Sequence, residues 1–174
     1  MVNINIDNLY NKIVERIEIA RSNVAIQINN EMTLLYWSIG KDIVENTLNN
    51  DKAEYGKSII KKLSQKLTEE YGRGYGERNI FRMIKFYEYF SDFEILSTVS
   101  AKLSWSHFVE LLQIEDNLKR EFYTTMCINE KWPVRTLRER IGSALFERTA
   151  ISKMPEKTII NDLQLLNKEK TRMR

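Results

Sequence analysis

Apolar residues recur three or four positions apart along most of the chain, the spacing of one buried helix face. The longest run comes first. Ile6, Tyr10, Ile13, Ile17, Ala20 and Val24 fall in a 4-3-4-3-4 pattern, and Ile28, Met32, Leu35, Ile39 and Ile43 continue it at helical spacing. This predicts a long N-terminal helix over residues 6 to about 48, broken at most once. Its first part is a heptad-like seam of under three heptads, short for a coiled coil. Packing within the chain is therefore its expected use, and homodimerisation through residues 6–24 is the alternative. Tyr36-Trp37 falls on this helix, where a Trp more often fills core than a ligand pocket.

A polar break over residues 46–55 leads into a central stretch, Gly56 to Phe90, that reads as helix, glycine-rich turn, helix. In the first helix Ile60, Leu63, Leu67 and Tyr71 are expected to face inward, with Lys57, Lys61, Ser64 and Gln65 opposite. Gly72 stands where a helix ends in a left-handed residue, and Gly74 and Gly76 loosen the positions after it. In the second helix Ile80, Met83, Ile84 and Tyr87 are the expected inward face. Arg78, Arg82, Lys85 and Tyr89 then line the outer face, four, three and four residues apart. A supporting helix, a turn and a second helix with a basic outer stripe is the pattern of a helix-turn-helix. An ordinary helical hairpin with a solvated basic face fits as well, because the turn is longer than three or four residues. A phosphate cradle from Gly72, Gly74 and Gly76 fits poorly, since the run follows a helix and lacks the dinucleotide spacing.

Residues 91–100 read as a connector with one or two helical turns. Leu103 to Leu112 starts another helix, capped by Ser104 or Ser106. His107, on its first turn, is expected to be structural. Residues 115–129 form a further helix that buries Leu118, Phe122, Met126 and Cys127. Trp132-Pro133 marks a restart, after which 134–150 is predicted as one helix, with Arg135, Arg138 and Arg148 turned outward. The expected architecture is all-α, with five to seven helices, a long N-terminal helix and a helix-turn-helix-like central hairpin. Residues 1–150 form the domain, and 151–174 a tail or linker.

Composition narrows the function. With one cysteine and one histidine in 174 residues, an internal disulfide is excluded and the usual zinc or copper ligand sets cannot be assembled. No cofactor or metal is expected. No run approaches a membrane span and no signal peptide opens the sequence, so the expected setting is the cytoplasm. The net charge of +3 is unevenly spread: residues 1–54 balance at −3, 57–90 at +4, 91–130 at −4 and 131–148 at +3. Two basic segments separated by an acidic one suggest a surface with a positive side and a polyanionic partner.

Several ordered motifs are Tyr36-Trp37-x-Ile39-Gly40, Tyr55-Gly56-Lys57, Leu63-Ser64-x-x-Leu67 and Asn79-Ile80-x-x-Met83-x-x-Phe86-Tyr87. They continue with Leu103-Ser104-Trp105-Ser106-His107 and with Trp132-x-x-Arg135-x-Leu137 followed by Glu147-Arg148. Over roughly residues 8–150 this set resembles the N-terminal helical domain of the YhcG family, in which a nuclease domain of the PD-(D/E)XK type follows. The resemblance implies a cytoplasmic bacterial protein associated with DNA cleavage, mobile elements or restriction-like defence. A nuclease core of that type needs acids to hold Mg²⁺ and a D/E-x-K lysine beside them. No lysine here has Asp or Glu two positions before it, and Pro155-Glu156-Lys157 has the wrong spacing. This chain is therefore not expected to cut DNA by itself.

The leading expectation is a non-catalytic DNA-binding or targeting module. Arg78, Arg82 and Lys85 would contact the duplex, flanked by Lys57, Lys61 and Arg73 and extended by Arg135 and Arg138. A nuclease domain or subunit is a further expected partner. The alternative is a protein-interaction or dimerisation module that acts through the N-terminal helix without nucleic acid. A Ser-His-Asp enzyme would rest on His107 alone and lacks a nucleophile-elbow pattern.

Overall fold

The computed structural model describes residues 6–48 and 53–152, and these are helical throughout, with short links. Eight α-helices follow in order: α1 (Ile6–Ile43), α2 (Ala53–Tyr71), α3 (Glu77–Tyr89), α4 (Phe93–Ser100), α5 (Trp105–Leu111), α6 (Asn117–Asn129), α7 (Val134–Gly142) and α8 (Leu145–Ser152). A π turn over Val44–Leu48 continues α1, and a 3₁₀ turn over Arg73–Tyr75 lies between α2 and α3. The all-α class holds, with one helix more than the pattern suggested. The tail from residue 153, and residues 49–52 of the polar break, lie outside the described residues.

The extra helix comes from the stretch 134–150, expected to be continuous. It breaks after Gly142, where Ala144 adopts φ 52°, a left-handed conformation that costs an L-residue energy. Tyr123, fully buried on α6, spans the break. Its hydroxyl donates to Arg140 O and accepts from Phe146 N, both at 3.2 Å. The corner between α7 and α8 is thereby fixed by a side chain of the preceding helix.

The fold is organised by the crossing of α1 with α3. Gly40 is buried there, and a Cβ built on it would lie 2.0 Å from Met83 O and 2.6 Å from its carbonyl carbon. No side chain fits, so the two backbones touch. Around the crossing, Ile43, Ile60, Ile80, Met83 and Ile84 form a small core shared by α1, α2 and α3. Ser64 belongs to the inward stripe of α2 at 5% exposure, while Tyr71 is 62% exposed. The stripe thus runs through Ile60, Leu63, Ser64 and Leu67. Tyr71, on the last turn, projects past the packed face and sets its ring edge-on to Tyr75, centroids 6.0 Å apart.

A second, larger core is built from α1, α3 and the C-terminal helices. Phe86 on α3 is its centre, with no exposed surface and rings of Phe90, Trp105 and Phe108 within 4.6 to 5.5 Å. Phe86 is thus the inward aromatic of α3. Tyr87, assigned that place by spacing, is half-buried and lies edge-on to Trp37 at 5.2 Å. Trp37 is core as expected, and its indole N–H donates to Phe90 O at 2.7 Å. Arg120 is also buried, its guanidinium stacked 3.8 Å from the Tyr89 ring centroid and donating to Ile114 O at 2.7 Å. Burial in that site pulls its pKa below the usual arginine value. Cys127 is buried too, and burial pushes its thiol up to about 12, so it behaves as a small apolar side chain.

The first part of α1 departs most from expectation. From Ile6 to Ile28 every residue is exposed, and the seam meant for packing within the chain meets no other described element. Inward packing begins only at Asn29, whose side chain approaches Leu103 O, and at Thr33, which is fully buried.

Gly40→Ala is expected to force α1 and α3 apart and cost about 3 kcal/mol, the upper range of overpacking. For a domain of this size that lowers the thermal midpoint by roughly 6 to 12 °C, read by circular dichroism.

Candidate nucleic-acid interface

The glycine turn between α2 and α3 is held by a dense set of local bonds. Gly72 has φ +90°, a conformation that excludes a side chain without strain, and its N–H closes α2 on Thr68 O at 3.0 Å. The backbone then passes through the 3₁₀ turn, with Tyr75 N donating to Gly72 O at 3.2 Å and Gly76 N to Arg73 O at 3.3 Å. Gly76 caps α3, receiving Asn79 N and Ile80 N on its carbonyl. Tyr75 is tied back to α1 through Tyr36, whose ring meets it edge-on at 6.4 Å and also tilts on Trp105 at 4.8 Å. Desolvation by burial, and then the neighbouring Tyr75, raise the Tyr36 phenol above its usual pKa.

Asn79 was not marked by the sequence as a site residue, yet it joins the turn to the outer face of α3. Its Nδ2 donates to Gly74 O at 3.0 Å, and its Oδ1 accepts from Arg82 Nη1 at 2.9 Å. One amide thus pins the turn and sets the direction of Arg82. The available signal was an Asn near the start of a helix directly after a glycine turn, where its amide competes well for backbone groups.

The expected cationic residues fall into two sets. Lys57 and Lys61 on α2, Arg73 in the turn and Arg78 on α3 are exposed and form no ion pair with a described carboxylate. Arg82 and Lys85 are half-buried on α3, the first held by Asn79 and the second with its ammonium 4.9 Å from the Tyr89 ring centroid. These six belong to elements that share the smaller core.

Arg135 and Arg138 belong to α7, which is seated on the larger core through Leu137. Both are spoken for. Arg135 pairs with Glu139 one turn along at 3.1 Å. Arg138 reaches Glu110 on α5 through Nη2 at 2.6 Å and Nε at 3.2 Å, a two-pronged contact with a carboxylate only 14% exposed. Its hydrogen bond to Glu110 raises the Arg138 pKa further. The geometry of Arg138 is that of a link between α5 and α7.

His107 is used as a structural part. Its Nδ1 lies 3.2 Å from Ser104 N and 2.8 Å from Ser104 Oγ, and its Nε2 lies 2.9 Å from Trp132 O. The Ser104 N–H donates to Nδ1, and Nε2 faces the Trp132 carbonyl, an acceptor. The histidine closes the first turn of α5 and ties it to the segment before α7. Among the described residues, no group of three or more His, Cys, Asp or Glu side chains is gathered where it could hold a metal ion. No helix among them is long and apolar enough to cross a membrane.

Residues 12–148 match the DUF1016 N-terminal domain, so the chain belongs to that family of helical domains. It is also similar to a protein of Escherichia coli (strain K12) named "Putative nuclease YhcG", with 29% identity over 174 residues. That match covers 83% of this chain and 46% of the relative, so the chain spans about half the relative's length. No solved structure matches it.

Asn79→Ala leaves Gly74 O and Arg82 without their partner. The expected loss is about 1 kcal/mol, typical of one net hydrogen bond, and a fall of roughly 2 to 4 °C in thermal midpoint. Asn79→Asp, which keeps the Arg82 acceptor, should recover part of it.

Proposed function

We propose that this domain is a non-catalytic DNA-binding module that targets a nuclease-associated bacterial protein to its substrate in the cytoplasm. The outer face of α3 lies against the duplex, with Arg78, Arg82 and Lys85 reaching phosphates and base edges. α2 supplies Lys57 and Lys61 alongside, the turn supplies Arg73, and α2, turn and α3 act together as a helix-turn-helix-like unit. Arg135 and Arg138 extend the surface only by giving up their intramolecular partners, which makes them secondary contacts.

The observation that supports this reading is the difference between the two cationic sets. Charges already neutralised by a neighbouring carboxylate gain little from a phosphate. Exposed charges without such a partner release counterions when they meet one, which is the main source of non-specific affinity for DNA. The family relationship supports it as well, because the relative carries the name "Putative nuclease YhcG". This chain lacks the D/E-x-K signature of that chemistry, so cutting belongs to another domain or subunit.

The test is binding to a labelled mixed-sequence duplex, followed by fluorescence anisotropy at about 50 and about 200 mM salt. Six phosphate contacts predict a loss of about a thousandfold in affinity between those concentrations. Arg78→Ala/Arg82→Ala/Lys85→Ala should abolish most of the binding at low salt, Arg135→Ala/Arg138→Ala should change it little, and added Mg²⁺ should leave the duplex uncut. Absence of binding at 50 mM, or equal binding by the triple variant, overturns the proposal.

A further inference from the structure

Residues 6–28 of α1 form an arm that is exposed on every side, and one stripe along it is apolar. Ile6, Tyr10, Ile13, Ile17 and Val24 are 45 to 75% exposed, and Leu9 and Val14 beside them are 50 and 37% exposed. An isolated helix draws little stability from propensity alone, since packing of an apolar face supplies most of it. At 1.5 Å per residue the arm is ~34 Å long, and a strip ~10 Å wide along it comes to roughly 300 Å², a size at which exposed patches serve a function.

We infer that the arm pairs with the same arm of a second copy, antiparallel, as a short two-helix coiled coil. A heptad seam needs a partner with the same period, and a second copy supplies one. The arm's charges also balance, with Asp7, Glu15 and Glu18 against Lys12, Arg16 and Arg21, so like can meet like. Heptad positions then decide the direction. With Tyr10 and Ile17 at position a, Asp7 and Arg21 fall at e and Arg16 at g. Parallel pairing sets each Arg16 beside the partner's Arg21, two like-charge contacts. Antiparallel pairing sets each Asp7 beside the partner's Arg21, drawing it from an exposed, weakly held pairing with Glu18 one turn back, and gains two opposite-charge contacts at the cost of one Arg16 facing its own copy. The antiparallel arrangement also puts the two helical bodies, which begin at Asn29, at opposite ends of the paired arms. A strip of this size falls short of the ~800 Å² per partner of a standard interface, so the dimer is weak and forms in the micromolar range.

Sedimentation equilibrium of the full chain from about 2 to about 200 µM tests this. The expected result is a monomer–dimer equilibrium that Ile13→Asp/Ile17→Asp shifts at least tenfold toward monomer, with the thermal midpoint of the body unchanged. Asp7→Arg alone should weaken the dimer, and Asp7→Arg/Arg21→Asp should restore it, a pattern that parallel pairing does not give and that does not depend on tolerating a charge in the seam. Three results overturn the inference: a monomer throughout the range, including one whose arm is protected from hydrogen exchange by another part of the chain; a dimer indifferent to the seam substitutions; or a dimer in which the charge swap fails to restore what Asp7→Arg removes.

Discussion

At Gly40 the backbone of α1 rests directly on the carbonyl of Met83 in α3, and most of the domain follows from that contact. Because no side chain separates the helices there, the residues on either side are brought into register. Ile43, Ile80, Met83 and Ile84 close the small core with Ile60 on one side. Trp37 and Phe86 open into the larger core on the other. α3 is thus gripped along its inner face by two cores, and its outer face, with Arg78, Arg82 and Lys85, is presented from a fixed platform. Side chains on a rigid helix lose less conformational freedom on meeting a duplex than the same side chains on a loop, so more of their interaction appears as affinity.

Local and distant interactions divide the work of holding that platform. The turn before α3 is set locally by the positive φ of Gly72 and the two hydrogen bonds of the Asn79 amide. The C-terminal helices are set from a distance. His107 bridges α5 to Trp132, Arg138 bridges α7 to α5, and Tyr123 bridges the corner between α7 and α8. The same division separates the cations. Those of α2, the turn and α3 are exposed or half-buried and form no ion pair with a described carboxylate, while Arg138 on α7 joins that helix to α5 and Arg135 pairs with Glu139 within α7.

Much of this was legible in the sequence, because a 3-4 apolar spacing is a direct consequence of helix geometry. It located α1, α2, α3 and α6 and the inward Ile80, Met83 and Ile84. Spacing assigned the inward place to Tyr87 where Phe86 holds it, since both lie three or four residues from Met83 and within one broad apolar stripe. The break at Ala144 was hidden because its left-handed conformation falls on a residue other than glycine and is stabilised by Tyr123, twenty-one positions earlier. The pairing of Arg138 with Glu110 spans twenty-eight residues and leaves no local mark. Periodicity foretold an apolar seam on the arm of α1 without telling what would cover it, because a helix shows the same pattern whether its partner lies in the same chain or another. The six cations of α2, the turn and α3 could be named from sequence, and their difference from Arg135 and Arg138 only from the ion pairs.

Amide hydrogen exchange of the full chain, with and without a saturating duplex at low salt, bears most directly on the claim that the α2–turn–α3 face is where DNA lies. The account predicts that added protection falls on residues 57–89, with α4 and the arm at 6–28 unchanged. Protection confined to α7, to the arm or to α4, with 57–89 exchanging as in the free protein, would contradict it.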